Sequence, residues 1–293
     1  MKRFSAVLAF VLIITSVFSF FAYAAAETRT EKFFAIIEKN KSVTLYEPMK
    51  NEDMGGFSYE KVSMQVVEDE NGETVSELYG SAKLWFVDID MYATQGGMLL
   101  YLPQINRHLD FFYIFGDEAE NITEIFSDYD ETDLMPLPSY PEYMSLKSST
   151  VESDVDGYGD LYTETFVYDT ESVVADLVSK DIIPDPALYD ISLDDNKALS
   201  EFYWNYAGDY SGFASSLLYK NEATFTFNEK GQLVAADYFT GEGRDVYNEY
   251  YELGEIGGFE AGASAEDFEI PESSKDLKVL TMFLKFFFKL LLD

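Results

Sequence analysis

Apolar and polar positions alternate with a period of two along much of the segment 59–115, which predicts a succession of β-strands. Residues 70–73 are typical of a hairpin turn, and a second turn is expected at residues 95–97. One apolar face is expected to carry Trp85, Val87, Ile89 and Met91. Consecutive strands joined by short turns predict an antiparallel meander with one buried face and one wet face.

The rest of the pattern predicts helices around a late hairpin. Helices are expected over Thr30–Asn40 and Thr170–Ile183, each with its first threonine as the N-cap. Further strands are expected at Ser42–Glu47, His108–Phe115 and Leu161–Asp169, and a hairpin over Ala223–Phe227 and Gln232–Phe239. The aromatic stretch 200–218 fits a helix or a strand. The predicted class is α+β: a large curved antiparallel sheet, an open half-barrel, with a few helices on its concave face.

Both ends of the chain differ from its middle. Lys2 and Arg3 precede an apolar run over residues 4–22 and small residues at positions 22, 24, 25 and 26, the layout of a secretory signal peptide over residues 1–26. An uncleaved membrane anchor is the alternative. We expect a bacterial protein that is secreted, extracellular or associated with the outer face of a membrane. Residues 27–274 are expected to form a single antiparallel-sheet domain.

The last segment, residues 275–293, predicts a C-terminal amphipathic helix. Twelve of its nineteen residues are apolar, and three lysines at spacings of seven and four form one narrow stripe on a helix. Such a helix either lies on a membrane surface with its lysines at the headgroups, or packs on the protein's own sheet. The residues expected to make this contact are Lys278, Phe283, Lys285, Phe287, Lys289 and Leu291.

The amino-acid composition excludes several kinds of functional site. The 293 residues contain no cysteine, which excludes disulfides, thiolate metal sites and a bacterial lipoprotein anchor, and His108 is the only histidine. The net charge of -34 argues against nucleic acid as a partner, because phosphate binding needs clustered lysine and arginine. The apolar content of 47% predicts a folded chain. A functional site in this protein is therefore expected to be built from carboxylates or apolar surface.

Several phrases of the sequence resemble a known family. The strand-turn-strand run over residues 70–86, the hairpin over residues 225–238 and the closing residues 268–278 follow an N-terminal helix and a meander. This layout resembles the outer-membrane lipoprotein carrier (LolA/LppX-like) superfamily of exported proteins. The resemblance implies a curved, unclosed half-barrel whose concave apolar face, lidded by helices, holds an acyl chain.

The expected function is the non-enzymatic binding of an apolar or lipid-like ligand at the cell envelope. Alternating apolar and aromatic positions of the meander are candidates to line the site, with an ordinary core as the alternative. These positions are Trp85, Met91, Leu99, Tyr101, Phe111 and Tyr113. The other possible functions are an adhesion or scaffold module and an extracellular protein that binds or cleaves carbohydrate. For the latter, the aromatic run over residues 202–206 is a sugar-stacking platform, and paired carboxylates serve cleavage.

No cofactor is expected, with one alternative. Asp154, Asp156 and Asp160 surround two glycines at the spacings of an oxygen-ligand calcium loop. Two further ligand positions of such a loop are missing, and the following residues are typical of a strand. An acidic hairpin turn is therefore favoured over a calcium site.

Overall fold

The computed structural model describes residues 28–46, 57–68, 72, 74–84, 86–94, 97–110, 136–206 and 210–271. The predictions for the signal peptide 1–26, the tail 275–293 and the residues Trp85, Phe111 and Tyr113 lie outside these ranges and stay predictions. None of the helices in the described part of the chain is both long enough and apolar enough to span a bilayer.

The described residues form twelve strands and a small number of helices. In chain order the strands are β1 (Ser42–Tyr46), β2 (Phe57–Glu68), β3 (Thr74–Leu84), β4 (Val87–Thr94), β5 (Gly97–Leu102), β6 (Arg107–Asp110), β7 (Met144–Val155), β8 (Gly159–Tyr168), β9 (Glu222–Phe227), β10 (Leu233–Glu242), β11 (Asp245–Tyr251) and β12 (Gly258–Ala261). The helices are α1 (Arg29–Asn40), α2 (Thr170–Ser179), α3 (Asn196–Asn205) and the short α4 (Ser211–Phe213), which continues as a π-helix over Ala214–Leu218. Four 3₁₀ helices cover Pro103–Ile105, Pro141–Tyr143, Pro186–Tyr189 and Ala265–Phe268.

The described chain divides into two compact units. Unit 1 contains the described residues of 36–110 and 257–271, and its strands follow the order β6-β5-β4-β3-β2-β1-β12. Unit 2 contains the described residues of 28–35 and 136–256, with the order β7-β8-β9-β10 and with β11 paired to β10. The neighbouring strands within each unit are antiparallel.

The predicted α+β class, built mainly of antiparallel sheet, is confirmed. The hairpin of β9 and β10 forms where the alternation predicted it, and β2 pairs with β3 around Gly72. Gly72 has a φ of 76°, a left-handed conformation that a turn requires and glycine adopts at little cost. The open half-barrel and the helices on its concave face stay predictions.

The helix ends differ from the sequence-based expectation. The N-cap of α1 is Thr28 rather than Thr30: Thr28 Oγ1 accepts from the Glu31 N–H at 3.1 Å, and the Glu31 carboxylate accepts from the Thr28 N–H at 2.7 Å. This reciprocal pair is a capping box. The N-cap of α2 is Asp169 rather than Thr170, and α2 ends at Ser179 instead of Ile183. In the ambiguous stretch 200–218, residues 200–205 and 211–218 are helical.

The core of unit 2 lies between α1 and one face of the unit's sheet. Phe33 and Phe34 on α1 pack edge-on against Phe227 and Phe225 on β9, with ring centroids 5.5 and 5.6 Å apart. Phe225 also contacts the Tyr238 ring on β10 at 5.2 Å. All five side chains are buried, so this aromatic cluster fixes α1 to the sheet of unit 2.

Candidate functional site

The sheet of unit 1 has two chemically different faces. Residues directly opposite each other in antiparallel strands share a face, so the pairing register shows which side chains lie together. One row crosses five strands on what we call the apolar face, and it consists of Leu45, Val62, Gly80, Met91 and Leu100. Other positions on the same face are Val43, Met64, Val66, Leu78, Ile89, Leu102 and Phe259.

Burial changes along this apolar face. Near β1 and β2 the side chains of Val43, Met64 and Val66 are buried, as is Phe259 on β12. Across β3, β4 and β5 the apolar side chains of the described residues are mostly half-buried, including those of Leu78, Ile89, Met91 and Leu100. The half-buried part therefore offers aliphatic surface that a ligand is able to cover further.

The row has no side chain at Gly80, where the Met91 methyl group lies close to the backbone. A Cβ atom placed on Gly80 would lie 3.7 Å from Cε of Met91, an ordinary van der Waals distance. Gly80 is buried, so the flexible and polarisable thioether of Met91 packs over it. A larger residue at this position would have to displace the Met91 side chain.

The opposite face of the same sheet, which we call the polar face, carries hydroxyl, phenol and charged groups. One row on this face consists of Tyr46, Lys61, Ser81, Asp90, Tyr101 and His108. The neighbouring row consists of Thr44, Ser63, Tyr79, Tyr92 and Leu99. Leu99 and Tyr101 thus face away from Met91, and the described members of the predicted lining set do not come together on one face.

Part of the polar face is a closed hydrogen-bond network. Lys61 Nζ forms an ion pair with Asp267 Oδ1 at 2.5 Å, and Ser63 Oγ donates to Asp267 Oδ2 at 2.7 Å. The hydroxyls of Thr44 and Ser63 lie 3.1 Å apart, and the Lys61 ammonium lies 5.3 Å from the centroid of the Tyr79 ring. Because these polar groups satisfy one another, this part of the face is suited to holding the 3₁₀ helix Ala265–Phe268 on the sheet.

Among the polar-face carboxylates that the structure describes, Asp90 has the most perturbed environment. Burial raises its pKa above the ordinary 3.8, although the Tyr79 hydroxyl donates to Asp90 Oδ1 at 3.2 Å and opposes that change. The ring of Tyr79 lies 5.2 Å from that of Tyr92, and burial together with the nearby Asp90 raises the pKa of Tyr92 to about 12. Both phenols are therefore neutral at pH 7.

The raised pKa of Asp90 predicts a pH-dependent effect of replacing it. The pKa of Asp90 is higher in the folded protein than in the unfolded chain. Its ionisation therefore lowers the stability of the folded protein as the pH rises from 3.8 through the raised value. We therefore expect Asp90→Asn to melt at a higher temperature than the unsubstituted protein at pH 7, with the difference shrinking below pH 3.8. Thermal melts at a series of pH values measure this. Asp88→Asn on the same face is the control, and because it breaks a 3.5 Å ion pair with Lys83 no gain is expected. An equal gain for both variants would contradict the assignment.

The acidic residues predicted as the alternative calcium ligands lie at the hairpin between β7 and β8. The Asp154 N–H donates to Asp160 Oδ1 at 3.3 Å across the turn. Within the described residues, no group of three or more aspartate, glutamate or histidine side chains is arranged to hold a metal ion. The geometry gives the calcium loop no support, and calcium binding stays a prediction that a melt with and without chelator tests.

The aromatic run predicted as a sugar platform forms the end of α3 and the residue after it. Tyr203 is fully buried and donates its hydroxyl to the Pro184 carbonyl at 2.8 Å. Phe202 and Tyr206 line a cleft at the surface of unit 2, whereas Trp204 is exposed and is not among the residues lining that cleft. The run is thus split between core and surface.

Comparisons with known proteins return no match: no family model, no curated protein and no solved structure matches the chain. Fold and site define an α+β protein of mainly antiparallel sheet, in which the sheet of unit 1 separates an aliphatic face from a polar one. The resemblance to the lipoprotein carrier superfamily stays a prediction. Function is therefore argued from the two faces and from the surface of unit 2.

Proposed function

We propose that this protein binds an apolar ligand, the acyl chain of a lipid, on the apolar face of unit 1. The observation that carries the proposal is the row Leu45, Val62, Gly80, Met91 and Leu100, in which five consecutive strands each contribute an apolar position. Except at Gly80, these side chains are half-buried, so a bound chain removes further aliphatic surface from water.

The shape and chemistry of the row favour an acyl chain over a compact ligand. Neighbouring strands lie about 4.8 Å apart, so a row across five strands is roughly 19 Å long. Its side chains carry no charge and no hydrogen-bond donor, and the Met91 thioether is only a weak acceptor. The flexible Met91 side chain in the middle of the row adapts to a flexible partner.

The same residues favour binding over catalysis. Aliphatic side chains and a glycine offer neither a nucleophile nor a group that transfers protons. The predicted signal peptide supports a role outside the cytoplasm, and the resemblance to carrier proteins is consistent with a lipid-like ligand. We therefore propose an exported, non-enzymatic lipid-binding protein of the cell envelope.

A pair of adjacent leucines provides the test. Leu100 lies on the apolar face and Leu99 on the opposite face, and both are half-buried on the same strand. Binding of the fluorescent fatty acid cis-parinaric acid to the purified full chain is expected to weaken about tenfold in Leu100→Asn, because a polar amide then meets the acyl chain. Gly80→Leu is expected to weaken binding similarly, because the larger side chain displaces Met91 and covers the middle of the row.

Leu99→Asn is the matched control and is expected to bind nearly as well as the unsubstituted chain. Circular dichroism and melting temperature show whether each variant keeps its fold. Equal losses in Leu99→Asn and Leu100→Asn, or no binding by the unsubstituted chain, would count against the proposal.

A further inference from the structure

Helix α3 has one buried face and one outward face. Leu199 and Tyr203 lie four residues apart and are completely buried, so they anchor the helix in unit 2. The outward face carries residues at spacings of three, four and seven, which a helix brings onto one side. These residues are Ala198, Glu201, Phe202 and Asn205.

This outward face forms one wall of a cleft of about 350 Å³. The 3₁₀ helix Pro186–Tyr189 and the residues just after it supply the other wall, with Tyr189 and Ile191. Tyr206, immediately after α3, completes the described lining. Three aromatic rings, an amide and a carboxylate therefore meet in one open cleft.

The three rings form a mutually packed cluster. The Phe202 ring lies 5.0 Å from Tyr189 and 5.3 Å from Tyr206, and the two tyrosine rings are 5.8 Å apart. Rings this close fill the space between themselves, so a ligand stacks on their outer surfaces rather than between them. Tyr189 is 50% exposed despite these contacts, which leaves aromatic surface available.

Polar groups surround that aromatic surface. The two tyrosine hydroxyls lie 3.3 Å apart and share a hydrogen bond. Asn205 Nδ2 donates to the backbone carbonyl of Glu201 at 2.7 Å, which orients the amide on the helix surface. The Glu201 carboxylate is largely exposed, and within the described part of the chain it forms a 3.9 Å ion pair with the even more exposed Lys197. Such a pair contributes little, and the carboxylate stays able to accept hydrogen bonds.

We propose that this cleft binds a carbohydrate. A sugar ring presents C–H groups on its faces, which pack on aromatic rings, and hydroxyls around its edge, which pair with carboxylate, amide and phenol groups. An acyl chain would displace water from these polar groups without replacing its hydrogen bonds. A phosphate-bearing ligand is disfavoured by Glu201 and by the net charge of -34. This inference concerns unit 2 and is independent of the apolar face of unit 1.

The lining favours binding without cleavage. Glycoside hydrolysis uses two carboxyl groups on either side of the scissile bond. Among the described residues that line the cleft, Glu201 is the single carboxylate. The cleft therefore fits a subsite that holds a glycan.

Native affinity electrophoresis of the full chain in gels containing soluble starch, laminarin, xylan or mucin tests this inference. We expect retardation by at least one of these polysaccharides. Tyr189→Ala is expected to weaken the apparent affinity about tenfold, because it removes an exposed stacking ring. Glu201→Gln, which keeps size and hydrogen-bonding capacity, is expected to change it less than Glu201→Ala does.

Trp204→Ala is the matched control. Trp204 is 54% exposed on the same helix but does not line the cleft, so its removal is expected to leave binding unchanged. Absence of retardation by all four polysaccharides would overturn the inference. Equal losses of affinity in Trp204→Ala and Tyr189→Ala would also overturn the inference, because they would show that the polysaccharide does not bind specifically in the cleft. Competition of the retardation by choline would assign the rings to a cationic ligand instead and also overturn it.

Discussion

Phe225→Ala is expected to lower the free energy of unfolding by about 4 kcal/mol, because it opens a cavity in the core of unit 2. Phe225 is completely buried on β9, and its ring contacts those of Phe34, Phe166 and Tyr238 at 5.6, 5.9 and 5.2 Å. Truncation removes the aromatic transfer energy and leaves the cavity beneath α1, where the packed neighbours relax only in part.

Denaturant unfolding followed by tyrosine fluorescence measures this loss. Thr224→Ala is the matched control, because Thr224 precedes Phe225 on the same strand, is half-buried and points to the other face of the sheet. It is expected to cost less than about 1 kcal/mol. Comparable losses in the two variants would contradict the placement of the unit 2 core beneath α1.

Glu164→Ala is expected to lower the free energy of unfolding by about 3 kcal/mol. The buried Glu164 carboxylate accepts from the Arg29 N–H at 3.0 Å and from the Thr30 N–H at 2.9 Å. It also accepts from the Thr30 hydroxyl at 2.7 Å. These donors belong to the first turn of α1, where backbone N–H groups have no partner within the helix and a negative charge is favoured. Alanine leaves all three donors without this acceptor.

Thr30→Val is compared with Glu164→Ala, because it removes one of the three hydrogen bonds to Glu164 and not all of them. It removes only the hydroxyl donor and keeps the shape of the side chain, so a loss of about 1 kcal/mol is expected. Amide hydrogen exchange of the first turn of α1 is expected to accelerate in Glu164→Ala more than in Thr30→Val. Unchanged exchange in Glu164→Ala would show that the carboxylate does not hold the helix.

Local patterns in the sequence predict most of the strands and helices. The alternation that predicts β2, β4 and the β9–β10 hairpin arises from neighbouring residues, and it is therefore readable without the fold. The predictions of the two N-caps are wrong because the local sequence offers two candidates at each helix start. Thr28 and Thr30 are both capping residues, as are Asp169 and Thr170, and propensity does not decide between them. Which one caps depends on the tertiary partner of the other: Thr30 is engaged by Glu164, and Thr170 by Asn196.

The predicted lining of the apolar site shows where sequence periodicity fails. Alternation within β4 and within β5 is clear, but the turn between them sets their relative register. The structure pairs Met91 with Leu100, so the face of Met91 continues through Leu100 and not through Leu99 or Tyr101. A shift of one residue in a turn exchanges the two faces, and neither strand's own sequence reveals it.

Contacts between distant residues are absent from any local pattern. Asp267 meets Lys61 across 206 residues, and Glu164 meets Thr30 across 134. In a chain with 54 acidic residues, neither carboxylate differs in sequence from those at the surface. The cleft of α3 is an intermediate case: the aromatic run at its end suggests a sugar platform, but only the structure separates Phe202 and Tyr206 from the buried Tyr203.

Native mass spectrometry is the most direct test of whether the apolar face of unit 1 holds an acyl chain. The full chain, Leu99→Asn and Leu100→Asn are produced in the same cells, purified identically and weighed under non-denaturing conditions. We expect an added mass of one acyl-chain lipid on the unsubstituted chain and on Leu99→Asn, and its loss from Leu100→Asn. A lipid-free unsubstituted chain, or a lipid retained equally by Leu100→Asn, would contradict lipid binding at this face.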